Sequence, residues 1–329
     1  MIMFWVSLLA ISILLYVLLD GVDLGVGLLF GLSNGEARRS TMLSAVAPIW
    51  DGNETWLVVT AVILWGAFPL VYATLLSAFY LPLIVMLAGL ILRGVAFEFR
   101  YKTQRLRWIW DWSFAGGSLI ATFVQGMTVG ALVEGLQFTN GEYSGGAFGW
   151  LTPFAVLCGI GLCLGYALLG ACWLIRKCEG QVRDVARRQI PVLAVGVLAF
   201  LVVVFAYALA ENLPILHRWI DRPYLFVFPA IGAIAAAVLA LSILNHNDYL
   251  PFHMVALVFM SAFGTLALSF WPYMIPSVIT VDQAAAPQSS LVFMFWGCGV
   301  IVFPLMLIYT LVSYSVFRGK VRASGGYGH

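Results

Sequence analysis

Two short acidic motifs lie inside segments that are otherwise hydrophobic. Asp20 and Asp23 interrupt the first apolar run, and Asp51 and Glu54 interrupt the second. Each pair is spaced by three residues, so a helix would place both carboxylates of a pair on one face. An ionisable side chain in hydrocarbon is costly unless it faces a partner or a polar pathway. These four carboxylates are therefore candidates for proton transfer or for buried ion pairs.

The chain that carries these motifs is far more hydrophobic than a soluble protein. Of its 329 residues, 62% are hydrophobic and 10% are charged, and the mean hydropathy is +0.98. Soluble domains contain about 25% charged residues. The composition therefore predicts an all-α polytopic membrane protein, and the net charge of +2 gives no indication of nucleic-acid binding. Residues 1–5 lack the positive segment of a signal peptide, so we expect an uncleaved first span.

Apolar runs of about 20 residues, the length that crosses a bilayer, recur along the whole chain. No connection between them is long enough for a soluble domain. We predict nine transmembrane helices, over residues 4–31, 45–66, 71–97, 112–134, 149–175, 190–210, 224–244, 250–271 and 289–316.

The positive charges predict how these helices cross the membrane. Fourteen of the 17 Lys and Arg residues fall in connections on one face, two fall on the other face, and Arg93 lies inside a span. Cytoplasmic connections carry the excess of Lys and Arg. We therefore expect the N-terminus outside and the C-terminus in the cytoplasm.

This orientation brings the acidic motifs and one buried base to a similar depth. At about 1.5 Å per residue, the four carboxylates lie roughly 9–17 Å from the predicted cytoplasmic ends of their helices. Arg93 lies about one turn inside the cytoplasmic end of the third span, and Glu98 follows it. Asn53 and Trp50 add hydrogen-bonding groups at that depth.

Two interpretations of this cluster are open. In the first, Arg93 neutralises one or two carboxylates, and the others hold helices together by hydrogen bonds. In the second, the acids form a proton route that opens to the cytoplasm, since buried carboxylates can exchange protons. Four acids facing one buried base favour the proton route.

The histidines and cysteines do not indicate a haem or metal site in this chain. Haem in a membrane bundle usually needs axial His or Met ligands deep in the spans, and His217, His246, His253 and His329 all fall elsewhere. The cysteines form no C-x-x-C pair, and we predict that they are buried packing residues. They are Cys158, Cys163, Cys172, Cys178 and Cys298. We therefore expect no cofactor bound by this chain's own ligands.

Two stretches resemble subunit II of the cytochrome bd quinol oxidases (the CydB/CioB type). One is Trp-Asp-Gly-Asn at 50–53 with its flanking residues, and the other is Arg-Gly-Val-Ala-Phe-Glu-Phe-Arg at 93–100. The stretch at 20–27 also carries the resemblance, and weaker similarity at 271–276 and 304–310 extends it from the first span to the ninth.

This resemblance implies a fold and an activity. It implies two four-helix bundles, over 1–134 and 135–271, with a peripheral ninth helix and a cytoplasmic tail over 272–329. It implies a bacterial inner-membrane complex that oxidises quinol and reduces dioxygen to water. Haem b, with haem d as a further candidate, would belong to the partner, subunit I. Membrane quinol, lipid and a small single-span subunit are other expected partners, and some family members hold a structural quinone in this subunit.

The resemblance also implies roles for residues, although none in this chain would be catalytic. Protons would pass from the cytoplasm to oxygen bound in the partner. The route residues carried over by motif are Asp23, Trp50, Asp51, Arg93 and Glu98. The supporting polar cluster is Asp20, Asn53 and Glu54.

Some positions depart from the family pattern. Ile49 and Glu54 stand where some members have His and Gln, and Glu98 stands where others carry Asp. The pattern at Ile49, Glu54 and 93–100 resembles the cyanide-insensitive branch. Two other functions stay open: a proton-coupled secondary transporter, although inverted repeats are not evident, and a non-catalytic assembly scaffold.

Overall fold

The computed structural model describes residues 1–139, 141–211, 219 and 222–321. The sequence-based expectations for His217, Arg218, Arg322 and His329 concern residues outside this described part. Within it, the chain is almost entirely helical, with two small antiparallel hairpins.

The first part of the chain forms five helices and a hairpin. The helices are α1 (Ile2–Gly31), α2 (Glu36–Ser44), α3 (Trp50–Ala67), α4 (Pro69–Lys102) and α5 (Arg107–Glu134). Strand β1 (Phe138–Thr139) pairs with β2 (Glu142–Tyr143).

The second part continues with long helices and ends in an irregular helical segment. The long helices are α6 (Pro153–Lys177), α7 (Gly180–Ala210), α8 (Val227–Leu244) and α9 (Leu250–Phe270). A 3-10 turn at Pro223–Phe226 precedes α8. Strand β3 (Tyr273–Ile275) then pairs with β4 (Ile279–Thr280), and α10 (Val281–Ala284) follows. The last segment comprises α11 (Gln288–Met294), a π-helical stretch (Phe295–Val302) and α12 (Phe303–Val316).

Eight helical segments of the described chain are long and apolar enough to cross a membrane. They match eight of the predicted spans. The segment predicted at 45–66 corresponds to α3, which has 18 residues and opens with the polar residues of the second acidic motif. The multi-pass membrane class is therefore confirmed, and the count of nine spans stays a prediction.

Helix α3 begins at Trp50, five residues later than its predicted start at 45. Proline disfavours helical backbone in the residue before it, and Pro48 follows Ala47. The chain therefore turns at 45–49, where Ala45, Val46 and Ile49 are buried. The second acidic motif accordingly sits at a helix N-terminus, where backbone N–H groups lack helical partners and negative charge is favoured.

Helix α1 lies among α3, α5 and α6 and packs closely on all three. Its approach to α6 depends on glycine, because a Cβ added to Gly25 would lie 1.8 Å from the backbone oxygen of Tyr166. On the facing helix, a Cβ on Gly170 would lie 2.5 Å from the backbone carbon of Gly25. This close packing fixes the acidic residues of α1 relative to the rest of the protein.

The last helical segment connects the two parts of the chain. Trp56 of α3 donates its indole N–H to Thr310 Oγ1 of α12 at 3.2 Å. Beyond α12, Lys177 at the end of α6 donates to the carbonyl oxygens of Phe317 and of Gly319, the latter at 2.8 Å. Helix α12 is therefore held at one side by α3 and at its end by α6.

Candidate proton-transfer site

Arg93 forms the centre of a buried ionic cluster that joins α1, α3 and α4. Its Nη1 lies 2.6 Å from Asp20 Oδ1, and its Nη2 lies 2.8 Å from Glu54 Oε2. The side chains of Arg93 and Asp20 are fully inaccessible, whereas Glu54 is 28% exposed. Glu54 is thus the member of the cluster that reaches the surface of the chain.

Asp23 belongs to the same buried region but has a neutral partner. Asn53 of α3 donates its Nδ2 to Asp23 Oδ2 at 2.8 Å and to the Leu19 carbonyl oxygen at 3.3 Å. The Tyr314 hydroxyl of α12 donates to Asn53 Oδ1 at 3.2 Å. A residue from the last helix therefore completes the hydrogen bonds of the Asp23 partner.

Among the described residues, three buried polar atoms of this cluster have no hydrogen-bond partner: Asp20 Oδ2, Asp23 Oδ1 and Arg93 Nε. Buried polar atoms are normally paired, with protein or with ordered water. Asp23 thus has one oxygen held by Asn53 and one oxygen available to a proton or to water.

The charges of the cluster do not balance. Asp20, Asp23 and Glu54 surround a single cation, Arg93. Uncompensated charge is strongly disfavoured in a buried site. A proton on one of these carboxyl groups would reduce the imbalance.

A second polar group, not predicted from the sequence, extends from the cluster between α1, α5 and α6. Gln125 donates its Nε2 to the Tyr16 hydroxyl at 2.6 Å, and the Tyr166 hydroxyl donates to Gln125 Oε1 at 3.3 Å. Tyr16 lies one helical turn before Asp20. An amide within the apolar sequence of α5 is a signal that could have identified this group.

Aromatic rings lie on the predicted cytoplasmic side of Arg93. Trp50 stacks on Phe97 at a centroid distance of 4.9 Å, and Phe114 makes edge contacts with Phe97 and Phe30. This aromatic layer contains no group that can carry a proton along the axis of α4.

A separate ionic network lies beyond the aromatic layer. Arg100 Nε is 2.6 Å from Asp111 Oδ1, and Arg100 Nη2 is 2.9 Å from Glu36 Oε2. Arg39 and Arg107 pair with the same two acids at 2.8 and 3.0 Å. The network ties α2, α4 and α5 together near the predicted cytoplasmic face, and it is separate from the Arg93 cluster.

Asp51 and Glu98 lie outside the Arg93 cluster. Asp51 is exposed in the first turn of α3, and the Glu98 side chain is 67% exposed with Lys102 at 3.9 Å. Within the described residues, no ion pair joins Asp51 or Glu98 to Arg93. Five residues of helix rotate a side chain by about 140° from the starting direction. Because Arg93 and Glu98 lie at similar depths, the sequence predicted that they are close together. In the structure their side chains point in different directions around α4.

The described residues contain no group of three or more His, Cys, Asp and Glu side chains placed to hold a metal ion. His253 is near Arg176, and His246, in the connection after α8, is near Arg187 of α7. All five cysteines are free. The expectation that they are buried is correct for Cys172 and Cys178 and wrong for Cys298, which is exposed on the π-helical stretch.

Comparison with known families gives a match over almost the whole chain. The family described as "Cytochrome bd terminal oxidase subunit II" matches residues 1–317. This range contains every described residue of the Arg93 cluster and of its surroundings.

Individual relatives agree with that match. The "Cytochrome bd-I ubiquinol oxidase subunit 2" of Escherichia coli strain K12 is 28% identical, covering 96% of this chain and 94% of the relative. The "Cytochrome bd ubiquinol oxidase subunit 2" of Bacillus subtilis strain 168 is 29% identical, covering 96% of each chain. A "Probable cytochrome oxidase subunit 2" of Haemophilus influenzae is 29% identical over 97% of this chain and 95% of the relative.

The fold is also similar to a solved structure. A chain of the bd oxidase from Geobacillus thermodenitrificans superposes with a TM-score of 0.76 at 14% sequence identity. The match covers 94% of this chain and 98% of that chain. At this identity the similarity concerns the fold alone.

Proposed function

Because this chain belongs to the cytochrome bd terminal oxidase subunit II family, we propose that it supports a haem-bearing subunit I and conducts protons to it. The chain is a subunit of a terminal oxidase that couples quinol oxidation to oxygen reduction. The haem groups of this family belong to subunit I, and their redox chemistry takes place there. The roles of this chain's residues are to bind, hold and transfer protons and to fix the partner in place.

We propose nine spans in two bundles, with the N-terminus outside and the C-terminus in the cytoplasm. Contacts among the connections support the assignment of these connections to one common face. Lys177, after the fifth predicted span, binds the carbonyl of Phe317, after the ninth. Asp248, between the seventh and eighth spans, pairs with Arg183 and Lys320. Connections that the proposed topology assigns to the cytoplasmic face therefore touch one another.

The observation that carries the proton role is the excess of buried carboxyl groups over Arg93. Asp20 is paired directly with the guanidinium, whereas Asp23 is held by a neutral amide. Asp23 is therefore the carboxyl group best able to change its protonation state without breaking an ion pair. Its second oxygen, Oδ1, has no hydrogen-bond partner and can receive the proton.

We propose that protons reach this acid from the side of α3 and not along the axis of α4. The aromatic layer lies between Arg93 and the predicted cytoplasmic end of α4, whereas Glu54 on α3 is partly exposed and can exchange protons with solvent. Asp51 and Glu98 would collect protons at the exposed surface. Trp50 would form the wall of the route beside Gly94, since a Cβ on Gly94 would lie 3.2 Å from its ring.

Substituting the proposed proton carrier tests this role. Asp23→Asn keeps the size of the side chain and an oxygen that can accept from Asn53, but it cannot release a proton. In the complex of both subunits, we expect oxygen consumption to fall by about 100-fold, the lower range for a positioned proton-transfer group. Haem content, measured by the reduced-minus-oxidised absorption spectrum, should be unchanged. Normal oxygen consumption in this variant would contradict the proposal.

Purification of the chain tests the partnership separately. Affinity purification from native membranes in mild detergent should yield haem absorption bands and a second polytopic subunit, both lost together in harsher detergent. A colourless preparation without a partner would contradict the oxidase assignment and favour the secondary transporter. The family match favours the oxidase subunit. A small single-span subunit, membrane quinol, lipid and a structural quinone stay predictions.

A further inference from the structure

We propose that Tyr314 is a positioning residue that determines which oxygen of Asp23 carries the transferable proton. The inference rests on the proposed proton role of Asp23 and extends it to a residue of the last helix. Tyr314 does not contact Asp23 through a hydrogen bond of its own. It acts through Asn53, which lies between the two side chains.

The hydrogen bonds of Asn53 allow a single orientation of its amide. The Leu19 carbonyl oxygen can only accept, so the Asn53 atom 3.3 Å from it must be the donor, Nδ2. The amide oxygen then faces Tyr314, and the phenolic hydroxyl must donate to it at 3.2 Å. The Leu19 carbonyl thus selects the orientation in which Nδ2 points at Asp23, and the hydrogen bond from Tyr314 holds the amide in that orientation.

This orientation makes the two oxygens of Asp23 unequal. Oδ2 accepts the Asn53 N–H at 2.8 Å. A proton on Oδ2 would face that N–H and lose the hydrogen bond, whereas Oδ1 is buried and has no partner. The proton of a neutral Asp23 is therefore held at Oδ1, and the Asn53 hydrogen bond is retained in both protonation states.

Tyr314 is itself held by both parts of the chain. Its ring makes an edge contact with Trp173 of α6 at a centroid distance of 5.9 Å. The Trp173 indole donates to the Ala45 carbonyl, 3.1 Å away in the turn before α3. With Lys177 fixing the backbone beyond α12, the hydroxyl is placed relative to Asn53 by contacts that do not involve the acids.

The charged and titratable groups around Asp23 come from every helix packed near it. They are Asp20 and Tyr16 on α1, Glu54 on α3, Arg93 on α4, and Tyr314 itself on α12, while α6 supplies Tyr166 against Gly21 and Arg176 near Tyr314, and α5 contributes the neutral Gln125. Removing the Tyr314 hydroxyl changes none of these charges. A change in pH dependence would therefore report the orientation of Asn53.

The test compares two tyrosine-to-phenylalanine variants of the same helix in the two-subunit complex. Tyr314→Phe removes the hydroxyl that holds Asn53. Tyr309→Phe is the matched control, because Tyr309 is 49% exposed and its hydroxyl makes no hydrogen bond to the described residues. We expect Tyr314→Phe to lower turnover by about threefold to tenfold, the factor that corresponds to one neutral hydrogen bond.

Two readouts separate positioning from packing. The pH profile of turnover should shift in Tyr314→Phe and not in Tyr309→Phe. The infrared carbonyl band that disappears in Asp23→Asn should change frequency in Tyr314→Phe. An unchanged pH profile and an unchanged carbonyl band in Tyr314→Phe would overturn the inference.

A double variant tests whether Tyr314 acts through Asn53. In an Asn53→Ala background, the connection between Tyr314 and Asp23 is already absent, so Tyr314→Phe should have no further effect on turnover. Additive losses would overturn the inference. If Asp23→Asn alone leaves turnover and its pH profile unchanged, the proposed function fails. If Asp23→Asn is inactive and Tyr314→Phe behaves as wild type, the positioning role alone fails.

Discussion

Arg93 and Asp20 form an ion pair with 2.6 Å between Nη1 and Oδ1, and neither side chain is accessible to solvent. A buried ion pair adds little net stability compared with apolar residues, because both charges lose their hydration. Removing one partner, however, leaves the other charge buried without compensation. Loss of either side chain should therefore destabilise the packing of α1 against α4.

Arg93→Gln should destabilise the complex strongly, by about 3–5 kcal/mol, as expected when one partner of a buried pair is removed. Thermal unfolding in detergent measures the change. Lys102→Gln on the same helix is the control, because the Lys102 side chain is 74% exposed and should not affect the melting temperature. Adding Asp20→Asn to Arg93→Gln should recover part of the loss. A melting temperature of Arg93→Gln equal to that of wild type would contradict the burial of the pair.

Gly25→Ala should separate α1 from α6. The added methyl group would overlap the backbone at Tyr166, 1.8 Å away, and backbone cannot move aside as a flexible side chain can. Overpacking of this kind typically costs about 1–3 kcal/mol. Gly116→Ala is the matched control, since a Cβ there meets nothing within 4 Å. Equal expression and equal melting temperature of the two variants would show that the helices are not in close contact.

The ion pairs of Asp248 on the proposed cytoplasmic face should be sensitive to acid. Partial burial raises the pKa of Asp248, but its hydrogen bond with Arg183 and the charges of Arg183, Arg187 and Lys320 outweigh burial, so its pKa lies below the usual value. A lowered folded-state pKa means that the stabilisation is complete above the ordinary carboxyl pKa of about 3.9 and is lost as the pH falls through the lowered value.

Asp248→Asn should therefore lower stability at neutral pH by about 1 kcal/mol, the upper range for accessible ion pairs. The difference from wild type should shrink as the pH falls below the ordinary carboxyl pKa. Melting curves over a pH series measure both effects. Asp184→Asn is the control, because Asp184 is 61% exposed and lies 3.5 Å from Arg183. A difference that does not vary with pH would exclude the ion pairs as its cause.

Asp51→Asn and Glu98→Gln should slow oxygen consumption without lowering the stability of the chain. Both side chains are exposed, so neither supports the packing of the chain itself. If both residues deliver protons to the route, each substitution should reduce turnover by about tenfold. This loss is smaller than the one expected for Asp23→Asn, because the other exposed acid can still deliver protons. Oxygen consumption and melting temperature are measured on the same preparation. Full turnover in both variants would remove these residues from the route.

The sequence predicted the helical membrane class and the proximity of Asp20, Glu54 and Arg93. Hydropathy and residue spacing indicate how deep each residue lies along its helix, and these three residues lie at similar depths. It did not predict that Asp51 and Glu98 stand apart from Arg93. Their separation depends on the start of α3 at Trp50 and on the angular position of Glu98 around α4. Depth in the membrane is encoded locally, whereas rotation about a helix axis is set by packing.

The partners of the buried acids were also beyond local sequence reasoning. The contact of Gln125 with Tyr16 joins residues 109 positions apart, and the contact of Asn53 with Tyr314 joins residues 261 positions apart. Asn53 and Gln125 are visible in the sequence as polar residues within apolar helices, but their partners are not. Their roles arise only when α1, α5, α6 and α12 are assembled.

The contact between Tyr314 and Asn53 has a consequence for biogenesis. During synthesis, Asn53 is inserted into the membrane long before Tyr314, 261 positions later, has left the ribosome. Throughout that interval the Asn53 amide lacks the hydrogen bond from Tyr314, which can form only when α12 docks. The acid site therefore matures at a late stage of translation, and a chain arrested before α12 would contain every acidic residue of the site in an unfinished state.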